Sequence, residues 1–116
     1  MGRLSTHVLD TSRGRPGAGM RYTLYRVEEG ARVLLAEGVT NADGRPERPL
    51  LDADSFRPGR YQLVYQVAAY FRALGVALPE PPFLDEVTLC FGMAEDAHYH
   101  VPLLVSPFGY TTYRGS

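Results

Sequence analysis

The chain has 116 residues, 45% of them hydrophobic, and a net charge of −1, a size that suits one domain over 1–116 with one modest core and no deep private cleft. Its 12 cationic residues are all arginines spread along the chain, which excludes Schiff-base and lysine-base mechanisms and leaves no clustered footprint for nucleic acid. The one cysteine, Cys90, allows no intrachain disulfide, and no apolar run reaches membrane-spanning length.

Leu4 to Thr11 reads as a first strand, with Ser5, His7 and Leu9 on one face and Thr6 and Val8 on the other. Ser12 to Gly19 holds Gly14, Pro16, Gly17 and Gly19 and is a loop by composition. Met20 to Val27 and Arg32 to Gly38 form a hairpin across Glu28-Glu29-Gly30. Val39 to Arg45 is a polar turn, in which Asn41 and Asp43 can bond their own backbone and Gly44 can take a positive φ. Pro46 to Leu51 is expected as a short edge strand, because two prolines remove ladder donors. Asp52 to Gly59 is a second loop.

Arg60 to Val67 places Tyr61, Leu63, Tyr65 and Val67 on one face. Ala68 to Leu74 is the one plausible helix, stopped by Gly75. A proline-rich connection, Val76 to Pro82, leads to a strand expected over Phe83 to Gly92, and Met93 to Asp96 turns into a final hairpin. Its arms, His98 to Val105 and Tyr110 to Tyr113, flank Pro107-Phe108-Gly109. Seven to eight strands with one short helix predict an all-β, two-sheet β-sandwich, a small barrel being the competitor. The N-terminus lacks the basic-then-apolar design of a signal peptide. Met1-Gly2 with Thr6 fits a permissive myristoylation pattern, but strand-like sequence from Leu4 leaves little tether, so a cytoplasmic protein is expected.

The last third carries the residues best suited to chemistry. His98 and His100 stand two apart on a strand and share a face with Pro102 and Leu104, while Tyr99, Val101 and Leu103 take the other. A zinc site could use this pair with His7 and keep an open position for water. No HExxH, paired CxxC or carboxylate cluster accompanies it. Without metal, a histidine serves as general base near neutral pH, and Arg45, presented by the Thr40–Gly44 turn, offers five fixed donors to a planar, oxygen-rich ligand or a developing oxyanion. The plain structural readings are surface or core histidines and a solvated turn arginine. Cys90, within Val87 to Phe91, reads as packing or incidental rather than as a nucleophile, and Tyr61, Tyr65 and Tyr110 as core or interface aromatics.

Three ordered segments together resemble one family. Leu4-Ser5-Thr6-His7-Val8-Leu9-Asp10-Thr11, Thr40-Asn41-Ala42-Asp43-Gly44-Arg45, and His98-Tyr99-His100-Val101-Pro102-Leu103-Leu104 running to Tyr113-Arg114-Gly115-Ser116 are similar to the signatures of the 5-hydroxyisourate hydrolases, the transthyretin-related enzymes. The closing Tyr-Arg-Gly-Ser is the most specific of them. The resemblance spans essentially the whole chain and implies a transthyretin-like (prealbumin-like) sandwich, a homotetramer with sites at the dimer–dimer interface, and no metal or organic cofactor. The reaction it implies is hydrolysis of the N1–C6 ring amide of 5-hydroxyisourate to 2-oxo-4-hydroxy-4-carboxy-5-ureidoimidazoline, on the path from urate to allantoin. The catalytic set falls on His7, Arg45, His100 and Ser116, with His98, Tyr113 and Arg114 in support.

Departures from the family pattern are an extra glycine in Pro16-Gly17-Ala18, the proline-rich Pro46-Glu47-Arg48-Pro49, the stretch Phe83-Leu84-Asp85-Glu86, and Thr111 at a common serine position. If the site lies between subunits, the Leu103–Val105 face with Phe108 and Tyr110 is the expected adhesive surface. Two other readings stay open: a non-enzymatic carrier of a small ligand on the same sandwich, and a zinc hydrolase using His7, His98 and His100.

Overall fold

Alternation along the first strand separates two environments. Leu4, Thr6, Val8 and Asp10 are buried, whereas Ser5, His7 and Leu9 are half-exposed, as a strand with one packed face requires. The same division runs through 98–105, where Tyr99, Val101, Leu103 and Val105 are buried and His98, His100 and Leu104 are half-exposed. The computed structural model describes residues 1–115. Among them the elements are β1 (Arg3–Asp10), β2 (Arg15–Pro16), β3 (Arg21–Glu28), β4 (Ala31–Val39), β5 (Gly59–Gln66), α1 (Val67–Ala73), β6 (Glu86–Met93), β7 (His98–Ser106) and β8 (Gly109–Thr112).

Two four-stranded sheets result, in the orders β2-β1-β7-β8 and β4-β3-β5-β6. Their inner faces meet over one core that includes Leu4, Val8, Leu24, Leu63, Tyr65, Phe71, Leu103 and Val105. β1 and β7 run parallel, with Ser5 opposite His100 and His7 opposite Pro102. That register makes one outward surface of the polar residues from the two ends of the chain. The expected two-sheet sandwich is therefore the fold, and the barrel is not.

Buried polar groups fasten the two layers. Thr6 Oγ1 donates to the Val101 carbonyl at 2.6 Å and accepts from the Tyr65 hydroxyl of the opposite sheet. Burial holds the Tyr65 phenol far above its ordinary range, so it stays a donor. Asp10, also buried, accepts from the Ser12 N–H at 3.0 Å, the Ser12 hydroxyl at 2.6 Å and the Tyr70 hydroxyl of α1 at 2.8 Å. Burial and this carboxylate push the Tyr70 hydroxyl up to about 12. A satisfied buried network of this kind fixes where the sheet ends and where the helix docks.

Five sequence expectations change. Pro46 to Leu51 forms no strand. The two prolines lack N–H groups, and only Leu51 pairs, in a single bridge with Leu4. The strand expected from Phe83 begins instead at Glu86. Phe83 is 71% exposed after Pro81 and Pro82, while the Asp85 carbonyl is occupied by the N–H groups of Val67 and Ala68 at the start of α1. Leu103 and Val105 point into the core and are fully buried, so they form no adhesive face; Leu104, Phe108 and Tyr110 are the residues left outside or at the edge. The loop expected over Ser12 to Gly19 holds a two-residue strand, β2, in which Pro16 pairs with Leu9 and Arg15 with Asp10. Cys90, expected as packing or incidental, is exposed on β6, which leaves the incidental reading.

Candidate active site

Arg45 owes its place to the turn before it. The Asn41 side-chain oxygen accepts the N–H groups of Asp43 at 2.9 Å and Arg45 at 3.2 Å, and the Asn41 N–H donates to the Arg45 carbonyl at 2.8 Å. Gly44 sits at φ +76°, and its carbonyl accepts the Val8 N–H at 2.8 Å. A side chain there would need a left-handed backbone and would drive its Cβ into the Val8 carbonyl. Glycine thus lets the turn lie flat on β1. The Asp43 carbonyl faces His7 and Arg45 follows beside the histidines.

His7 Nε2 lies 2.8 Å from that carbonyl. A carbonyl only accepts, so Nε2 carries the proton and Nδ1 of a neutral His7 is bare. On β7, His100 Nδ1 lies 2.8 Å and His98 Nε2 3.2 Å from the Ser5 hydroxyl. The chain end closes over His100: its carbonyl accepts the Gly115 N–H at 2.6 Å, and its N–H reaches the Gly115 carbonyl at 3.3 Å. A Cβ on Gly115 would come within 3.2 Å of the His100 ring, a tight contact that the ring would have to yield to by a few tenths of an ångström.

Arg3, Ser5, Arg45, His98 and His100 line a cavity of about 440 Å³, walled on one side by Pro46, Glu47, Arg48 and Pro49. Three guanidinium groups against one carboxylate make it cationic. His7 does not line it; it stands at the next position of the same face of β1, close enough to feel Arg45. Burial first, and the Arg45 charge second, hold both His7 and His100 below the usual imidazole value, with His7 and His98 adding to the effect on His100. Both rings are therefore neutral, and able to accept a proton, to a lower pH than a free histidine.

The structure brings Arg45, His98 and His100 to one cavity and sets His7 beside it. Tyr113 and Arg114 face a different space, about 450 Å³ between the edges of β6 and β8. Arg114 lies over the Tyr99 ring at 4.2 Å and reaches the His98 carbonyl at 3.4 Å, so it braces the backbone of the histidine strand. Ser116, expected in the catalytic set, lies outside the described residues. Among the described residues no group of three or more His, Cys, Asp or Glu stands ready to hold a metal ion; His7 is turned to a carbonyl, and His98 and His100 share a hydroxyl. Ser5 and Arg3 are site residues that the sequence motifs do not mark, and Pro46 to Pro49, a departure from the family pattern, turns out to wall the cavity. The shared face of Ser5 and His7 was the available signal for the first.

The sandwich is of the transthyretin type, since it is similar to sea bream transthyretin with a TM-score of 0.86 and 28% identity over 97% of this chain and 94% of that one. The profile of the HIUase/Transthyretin family matches residues 4–115, and the chain belongs to that family. It is 58% identical to the 5-hydroxyisourate hydrolase of Pseudomonas aeruginosa, over 100% of this chain and 93% of that one. Among solved structures it is similar to (S)-allantoin synthase, with a TM-score of 0.92 and 44% identity over 99% of this chain; it spans only 44% of that longer protein. The Klebsiella pneumoniae 5-hydroxyisourate hydrolase matches over 100% of both chains, with a TM-score of 0.82 and 38% identity.

Proposed function

We propose that this chain hydrolyses 5-hydroxyisourate at its N1–C6 ring amide, giving 2-oxo-4-hydroxy-4-carboxy-5-ureidoimidazoline on the path from urate to allantoin. The observation that carries this reading is the meeting of Arg45, His98 and His100 in one cationic cavity with His7 at its border. Support comes from the hydrolases at high identity over the full chain. Opening a ring amide needs a base for water, donors for the oxyanion and a proton for the departing nitrogen. His7 and His100 share the activation of water and the proton transfer, and their tautomers decide which of the two abstracts the proton. Arg45 supplies planar N–H donors where negative charge develops on the attacked carbonyl. The balance closes without a metal or cofactor: one proton of water passes to a histidine, its hydroxide bonds the carbonyl carbon, and the histidine's proton follows the C–N bond electrons to nitrogen.

The proposal includes three further elements. Ser116 belongs to the catalytic set, next in the chain to Gly115, whose backbone pairs with His100. A homotetramer completes the site's walls, because the cavity opens on the outer face of a sheet whose neighbouring half-exposed residues include Leu9 and Leu104. The protein works in the cytoplasm. A carrier of apolar ligands is the weaker reading, because such a ligand gains nothing from three arginines and two histidines. Freshly made 5-hydroxyisourate, followed in the ultraviolet, should decay faster with the protein than by itself, and sedimentation should give a tetramer. Decay at the spontaneous rate would defeat the hydrolytic reading. An active monomer at micromolar concentration would defeat the tetramer.

A further inference from the structure

Ser5 stands at the centre of the histidine pair, directly opposite His100 across the parallel β1–β7 ladder. Its Oγ is 2.8 Å from His100 Nδ1 and 3.2 Å from His98 Nε2. A hydroxyl has one proton and two lone pairs, so it can donate to only one of the two rings. Bonds donated by O–H run shorter than those donated by N–H. The short contact fits a bond that Ser5 donates to His100, and the long one a bond that His98 donates to Ser5. A neutral imidazole carries a single N–H. With Nδ1 accepting from Ser5, His100 has its proton on Nε2.

His7 is the same tautomer with the other nitrogen free, its Nε2–H given to the Asp43 carbonyl and its Nδ1 bare. The two histidines are thus complementary, one ring offering a donor and the other an acceptor. We propose that Ser5 is a positioning residue, which holds His100 as the Nε2–H tautomer so that this ring donates a hydrogen bond to a substrate oxygen beside Arg45 and proton abstraction falls to His7. The division of labour rests on the hydrolytic reading above. The hold of Ser5 on His100 does not. It is a ground-state property of the free protein.

Two measurements test it. The chain has 3 histidines, so nitrogen-15 spectra of their side chains can be assigned with single-histidine variants. Near neutral pH the free wild-type protein should show His100 protonated on Nε2 with Nδ1 as acceptor, and Ser5→Ala should turn this into a mixture of tautomers. In kinetics, Ser5→Ala should lower kcat by about 10–10²-fold, the scale expected when a reacting group is misplaced by about 1 Å. Ser5→Thr, which keeps a hydroxyl and suits a strand, should restore both the tautomer and the rate. His100 protonated on Nδ1 in the wild type, or wild-type tautomer and turnover in Ser5→Ala, would overturn the proposal. Should Ser5→Ala fail to fold, the wild-type spectrum and the Ser5→Thr rate still decide. Absence of any wild-type turnover would remove the hydrolytic role, while the spectra judge the Ser5 contact separately.

Discussion

Replacing either His7 or His100 with alanine should lower turnover by about 10²-fold or more while the protein stays folded. Loss of a general base and loss of an oxyanion donor both start at that size. The fold should survive because both side chains leave the outer face of the β1–β7 ladder, whereas the core is held by the alternate residues, Leu4, Val8, Leu103 and Val105. Circular dichroism and thermal melting check the fold, and ultraviolet assays check the rate. The double variant should fall little below the worse single one, because groups that serve one chemical event are far from additive. Losses that multiply in full would mean that the two rings act in separate events.

Much of this was legible before the structure. Period-two alternation places His98 and His100 on one face, and glycine with two side-chain acceptors announces the turn that presents Arg45. Local spacing could not show which strands are neighbours. The parallel pairing of β1 with β7 joins residues 93 to 95 positions apart, and it alone puts Ser5 between two histidines. Pro46 to Pro49 misled for a related reason. Its prolines signal missing ladder donors, whereas nothing local signals that the segment walls the cavity. Alternation sets Leu103 and Val105 opposite the histidines, but it does not say which face is covered; the core shows that theirs turns inward, so they form no adhesive surface. Tyr113 and Arg114 follow the same rule, since proximity in sequence to the site residues did not put them in the same cavity.

Arg45 has two separable effects, and its substitution should show both. Arg45→Ala should reduce kcat/KM by about 10²–10³-fold, the usual loss when one oxyanion donor is removed. It should also move the acid limb of the pH–rate profile. In the wild type both histidines lie below the usual value, first through burial and then through the Arg45 charge. The activity that depends on their neutral forms therefore persists below pH 6.5, the ordinary imidazole value. Removing the guanidinium removes a charge that disfavours protonation, so both rings take up a proton more readily and the limb shifts to higher pH. Burial keeps part of the depression in place. Arg45→Lys retains the charge without the planar fork of donors; it should keep the wild-type limb and still lose most of the rate. An acid limb that stays put in Arg45→Ala would show that the charge next to the two rings does not set their protonation during turnover, and Arg45 would then be left with the oxyanion alone.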